Sequence, residues 1–182
     1  MPSSPWYVNS ILNTNSVEKQ TFIVERLNEI AKEAIQSTKE ISNDLSPHIL
    51  KNYGLLAAIE SFSRKVEDHV QIQFESNLTD DRFSEEIETS LYRIIKELVN
   101  NTIKHANASL IKVKLIKESE KINLLFKDDG IGFDPGIIEN KVPTGMGLSN
   151  IISRIRSLKG NYTLTSETNK GIEFRLYIPF TG

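Results

Sequence analysis

The chain has 182 residues, a formal net charge of -2 and 25% charged residues, so no strong basic field recommends nucleic acid or an anionic membrane as its main ligand. It contains no cysteine, which excludes disulfides and thiolate metal sites. No apolar run approaches the length of a bilayer span, and residues 1–15 lack the basic start and continuous apolar stretch of a signal peptide. The expectation is a soluble chain, large enough for one sizeable core or for a domain with a helical appendage.

Residues 1–16, rich in Ser, Pro and Asn, read as a flexible lead-in. From Val17 to Leu45 the spacing predicts a long polar helix. Ile23, Leu27, Ile30, Ala34, Ile41 and Leu45 are mostly three or four residues apart, with Ser37 interrupting the seam. So narrow a stripe suits pairing with other helices, as in a dimeric four-helix bundle; the alternative is one amphipathic helix packed on its own domain. Pro47 is expected to stop this helix, and Gly54 to Glu67 to form a second, shorter one. Val70 to Glu75 alternates as a strand. Phe83 to Ala106 follows as a helix with a wide apolar stripe of Leu91, Ile94, Ile95, Leu98, Val99, Thr102 and Ile103. Leu110 to Lys117, Ile122 to Lys127, Asn161 to Ser166 and Ile172 to Ile178 read as further strands, and Leu148 to Leu158 as a helix between them. This order predicts an α+β fold, an antiparallel or mixed sheet with one face covered by helices.

Polar chemistry concentrates in Glu97-Leu98-Val99-Asn100-Asn101-Thr102-Ile103-Lys104-His105. Glu97 and Asn101 share a helix face, and Lys104 and His105 continue one turn on, a pattern suited to metal and phosphate. Two glycine signatures follow: Asp128-Asp129-Gly130-Ile131-Gly132 at a strand exit, and Gly145-Met146-Gly147-Leu148-Ser149-Asn150 at a helix start. Glycine there lets the backbone approach a ligand closely, and free amides at a helix N-terminus attract phosphate. A nucleotide is implied. The pattern is not a P-loop, lacking Gly-Lys-Ser/Thr, nor a dinucleotide fingerprint, because Asn150 stands where the third glycine belongs.

In these residues the chain resembles the ATP-binding catalytic domain of bacterial sensor histidine kinases, within the superfamily shared with gyrase and mismatch-repair ATPases. Glu97 to His105 resembles the asparagine box, Asp128 to Gly132 the first glycine box and Gly145 to Gly147 the second. Ile41 to Leu50 and Tyr53 to Ile59 are similar to the end of the second dimerisation helix and its connector in the nitrate-sensor-type subfamily. The resemblance implies a Bergerat-type α/β sandwich over residues 53–182, preceded by part of a dimerisation helix and connector over 17–52.

The resemblance also implies ATP and magnesium as ligands. Asn101 would offer its carboxamide oxygen to the metal, Glu97 would act catalytically by orienting a water beside it, and Lys104 or His105 would contact phosphate. Asp128 would read the adenine amino group, which a carboxylate accepts and which a guanine carbonyl cannot replace. Gly130, Gly132, Gly145, Gly147, Leu148 and Gly171 would complete the ATP site, with Phe133 to Thr144 as a lid. For Lys104 the plain alternative is a solvated lysine, for His105 a cation at a helix C-terminus, and for Asp129 a turn or solvent-facing residue. Ile172 departs from the family, which usually has threonine there.

No phosphoacceptor is identified. The family's acceptor histidine is followed by an acid, whereas His48 precedes Ile49, His69 precedes Val70 and His105 precedes Ala106. The resemblance therefore implies a cytoplasmic catalytic fragment that transfers phosphate to a histidine outside this chain and then to a response regulator. Its partner helix would belong to a homodimer, with no nucleic acid or membrane contact by this segment, although the full-length protein could be membrane-anchored. A serine kinase of the anti-sigma type and a non-catalytic module with a relict pocket are the alternatives.

Overall fold

The computed structural model describes residues 21–31, 46–79, 81–133 and 146–180. Its contacts divide the chain into two compact units, Met1–Leu45 and Ser46–Gly182. In the first, residues 21–31 form helix α1, with Phe22, Val24 and Ile30 exposed. The expected lead-in and the rest of the expected long helix, residues 1–20 and 32–45, lie outside the described residues.

The second unit runs α2 (Ser46–Val66), β1 (Gln71–Ser76), α3 (Glu85–His105), β2 (Leu110–Lys117), β3 (Lys121–Asp128), α4 (Met146–Ser157), β4 (Asn161–Ser166) and β5 (Ile172–Pro179). Helix α2 starts earlier than the sequence suggests. Proline ends a helix it interrupts but suits a first turn, where its missing N–H has no partner to lose. Pro47 therefore opens a helix. Gly54, at φ 84° and ψ -178°, then breaks α2 into two pieces, a left-handed conformation that glycine adopts without a Cβ penalty.

The five strands lie in the order β1-β2-β3-β5-β4. β1 and β2 are parallel, as a helix-length crossover through α3 permits, and all other pairs are antiparallel. The sheet is mixed, as expected. Alternation sends Ile111, Val113 and Leu115 of β2, Ile122, Leu124 and Phe126 of β3, and Phe174, Leu176 and Ile178 of β5 to one face. There they meet Leu55, Ile59 and Phe62 of α2, Leu91, Ile95, Leu98 and Val99 of α3, and Ile151 and Ile155 of α4 in one core. The opposite face carries Lys114, Asn123, Arg175 and Tyr177.

Helix α3 is the long axis of the site, and both its ends are secured. Ser84 caps it by accepting from the Ile87 amide at 3.3 Å. In the same first turn Glu88, 2% exposed, accepts from Arg82 Nε at 2.8 Å, Arg82 Nη2 at 3.0 Å and the Phe83 amide at 3.0 Å. Arg82 Nη2 also donates to the Lys51 carbonyl at 3.2 Å, so one guanidinium ties the end of α2's first piece to the start of α3. At the far end Ala106 caps the helix, and Asn107 at φ 49° turns the chain toward β2.

Candidate nucleotide site

On α3, Arg93, Glu97 and Asn101 follow one another at i, i+4 spacing, with Glu97 and Asn101 half-buried and Arg93 exposed. The start of α4 lies against Glu97 and Asn101. A Cβ placed on Gly147 would stand 2.1 Å from Glu97 Oε1 and 3.4 Å from Asn101 Nδ2. The second glycine motif is thus seated on the two polar side chains of the first motif, a juxtaposition distant in sequence. Further along α4, Arg154 is half-buried. Burial lowers its pKa, the neighbouring Arg93 adds to that effect and Glu97 opposes it. Glu97 has a glycine giving it room on one side and arginine charge in reach on the other.

Asp128 closes β3 with only 2% of its surface exposed. Its Oδ2 accepts from the Thr102 hydroxyl at 2.8 Å, and its Oδ1 from the amides of Gly130 at 3.0 Å and Ile172 at 3.2 Å. Helix, loop and strand therefore converge on one carboxylate. Thr102 reads from the sequence as part of an apolar stripe, and its methyl suits that position. Its hydroxyl, however, is a buried polar contact that spacing alone does not reveal. Ile172 is partly buried against the core and contributes its backbone amide to Asp128.

The glycines have close neighbours, and those neighbours are the chain itself. A Cβ on Gly130 would come within 2.5 Å of the Ala106 carbonyl, which accepts from the Ile131 amide at 2.8 Å. One on Gly132 would meet the Glu167 carbonyl at 2.2 Å, and one on Gly171 the Asp128 carbonyl at 2.1 Å. Glycine at the first motif is expected where a ligand comes close; the geometry supplies a second reason, the crossing of α3's end, the Asp128 loop and the turn before β5.

Asp129 is exposed and holds the start of β2. Its Oδ1 accepts from the Ser109 and Leu110 amides, each at 2.9 Å, and its Oδ2 from the Ser109 hydroxyl at 2.7 Å. The Ser109 hydroxyl, followed by the Leu110 amide, lowers its pKa from the ordinary 3.8. A depressed folded-state pKa stabilises the fold above the unfolded value, and that contribution disappears as pH falls through the lower folded value. Asp129→Asn is therefore expected to lower the melting temperature at neutral pH and to flatten its decline below about pH 4. Melting curves of both proteins across that range test this, and parallel acid limbs would remove the assignment.

Lys104 and His105 are exposed in the last turn of α3, on the side Asn101 occupies one turn earlier. Leu148 is half-buried beside Gly147. Gly145 and residues 134–144 of the expected lid lie outside the described residues. His48 is exposed on α2, its Nε2 2.9 Å from Asn52 Nδ2, and His69 is exposed in the turn before β1. Among the described residues no group of three or more His, Asp or Glu side chains forms a metal cage. The donor set fits magnesium only as that ion is held beside nucleotides, by one or two protein oxygens together with phosphate. No helix among the described residues is long and apolar enough to cross a membrane.

Residues 86–182 match the family described as histidine kinase-, DNA gyrase B-, and HSP90-like ATPase, and the chain belongs to that family. Its relatives are sensor histidine kinases, as the motifs lead one to expect. It is 27% identical over 176 residues to the signal transduction histidine-protein kinase/phosphatase DegS of Brevibacillus brevis, covering 96% of this chain and 45% of that protein. It is 29% identical over 159 residues to the oxygen sensor histidine kinase NreB of Staphylococcus carnosus (strain TM300), covering 86% of this chain and 45% of that protein. With the sensor histidine kinase ComP of Bacillus subtilis (strain 168) identity is 32% over 152 residues, 81% of this chain and 19% of that protein. The chain thus spans less than half the length of these relatives. In fold it is similar to the Acinetobacter baumannii histidine kinase AdeS, with TM-score 0.59 and 17% identity over 97% of this chain and 92% of that one. The histidine kinase domain of the Erythrobacter litoralis EL346 blue-light activated histidine kinase gives TM-score 0.56 and 16% identity over 69% and 61%.

Proposed function

We propose that this chain is the ATP-binding catalytic part of a two-component sensor histidine kinase, holding the terminal phosphoryl group of ATP for a histidine outside the chain. The observation that carries the reading is the seating of Gly147 on Glu97 and Asn101, at one end of a helix face whose neighbour Thr102 holds buried Asp128. A polar pair facing a helix N-terminus suits phosphates, and a fixed carboxylate with acceptor capacity left suits an adenine amino group. Asn101 offers a carboxamide oxygen to the metal, Glu97 orients a water beside it, and Lys104 or His105 meets phosphate. Magnesium, when bound with ATP, would neutralise the phosphate charge that builds up during transfer. The acceptor histidine, a homodimer through the helix that includes α1, a cytoplasmic location and a response regulator as the next acceptor belong to the same proposal.

Isothermal calorimetry with magnesium should detect ATP and ADP binding and much weaker GTP binding. Asp128→Asn should weaken ATP binding by about tenfold, the cost of one hydrogen bond to a charged group. Equal affinities for ATP and GTP would remove the role given to Asp128. Incubated alone with labelled ATP, the chain should acquire no acid-labile label, because phosphoryl transfer needs a nucleophile in line with the terminal phosphate. His48 and His69 are carried on α2 and in the turn before β1, outside the motifs proposed to hold ATP. Acid-stable label on a serine would favour the anti-sigma-type alternative, and acid-labile label on His48 would place the acceptor within the chain.

A further inference from the structure

Taking the adenine-binding role of Asp128 as given, we infer that Thr102 is the specificity-determining residue that aims this carboxylate, leaving it a single open acceptor position for one amino hydrogen of the base. A carboxylate has about four lone-pair positions. Oδ1 accepts from the amides of Gly130 and Ile172 and is filled. Oδ2 accepts from the Thr102 hydroxyl at 2.8 Å, which leaves one lone pair on that oxygen. Thr102 and Asp128 are each 2% exposed, so the hydrogen bond between them is buried, charge-assisted and little weakened by solvent.

The two backbone donors hold only Oδ1, and they would allow the carboxylate plane to rotate about that oxygen. Thr102 supplies the second anchor, from the helix. Its own position is fixed because α3 is packed along the buried stripe, with Leu98 and Val99 in the turn before it. Threonine suits the position through both of its γ substituents, the methyl among apolar neighbours and the hydroxyl toward Asp128. Because a hydroxyl that donates to the carboxylate still has acceptor capacity of its own, the pair presents acceptors only toward the base. An amino group is favoured there and a carbonyl oxygen is opposed from two atoms instead of one.

The test compares Thr102→Val, which removes the hydroxyl at nearly equal volume, with Thr102→Ser, which keeps it and drops the methyl. Calorimetric affinities for ATP and for inosine triphosphate, which carries a carbonyl in place of the amino group, are measured on each and on the unaltered chain, with melting temperatures as a check on folding. The expected result is an ATP affinity about tenfold lower in Thr102→Val, with the preference for ATP over inosine triphosphate narrowed by a similar factor. Thr102→Ser should keep the unaltered preference even where it melts lower. A merely structural role would lower both affinities together, leaving the preference unchanged, and that outcome overturns the inference. An unchanged ATP affinity in folded Thr102→Val overturns it too. If Thr102→Val does not fold, Thr102→Ala against Thr102→Ser carries the same comparison. Failure of the unaltered chain to bind ATP in preference to inosine triphosphate would instead refute the adenine-reading role of Asp128 on which the inference rests.

Discussion

Gly171→Ala is expected to cost about 3 kcal/mol of stability, combining the penalty of a left-handed backbone for a residue with Cβ and the cost of overpacking. Both components are visible at the position. Gly171 has φ 75°, and an added Cβ would lie 2.1 Å from the Asp128 carbonyl oxygen and 2.7 Å from its Oδ1. The first neighbour is the backbone of the last residue of β3, paired with Ile111 of β2, and cannot step away without disturbing the end of that strand. The second is the carboxylate proposed to read adenine, already committed to three protein donors. The melting temperature should fall by roughly 10 °C, and nucleotide binding should be lost even under conditions where the variant remains folded. Denaturant titration with and without ATP separates the two effects. A variant with unaltered stability would mean that β5 and the Asp128 loop can move apart and that the adenine end of the site is not rigid.

That crossing also marks the limit of what can be read from the chain alone. The elements follow from periodicity: the two-residue alternation of Ile111, Val113 and Leu115 and the helical stripe from Leu91 to Ile103 each identify their element because burial on one face requires them. Glycine at 130, 132 and 171 announces that something comes close, but composition does not say whether that is a ligand or another stretch of backbone. Here the chain's own carbonyls are close to all three. Thr102 was hidden for a related reason, since a β-branched residue in an apolar stripe satisfies the pattern through its methyl while its hydroxyl finds a partner 26 residues away. The Arg82–Glu88 pair belongs to no motif, and a buried acid in the first turn of a helix reads as an ordinary dipole-favoured residue until the loop before it turns back. A proline ring can end one helix or open another, and at Pro47 the structure shows an opening.

The contrast with Gly171 sets the expectation for Gly147→Ala, the variant with the largest predicted effect on chemistry. Its added Cβ would lie 2.1 Å from Glu97 Oε1 and 3.1 Å from Glu97 Cδ. These are the end of a flexible side chain and not a backbone strand, so the fold can accommodate the methyl group by moving Glu97. Stability should change little. Catalysis should not survive so well, because a group misplaced by about 1 Å can cost on the order of 100-fold in rate. Transfer from labelled ATP to an acceptor-helix segment supplied as a separate chain should fall by about that factor, while calorimetric ATP affinity stays within about threefold of the original, since binding rests on Asp128 and Asn101. The decisive control is the cycle with Glu97→Ala. If Gly147 acts only by giving Glu97 its place, adding Gly147→Ala to Glu97→Ala should cost nothing further, a coupling that two independent contributions would not produce. Additive losses would assign Gly147 a role of its own at the phosphates, through the amides that open α4, and would leave Glu97 without the positional partner that the structure gives it.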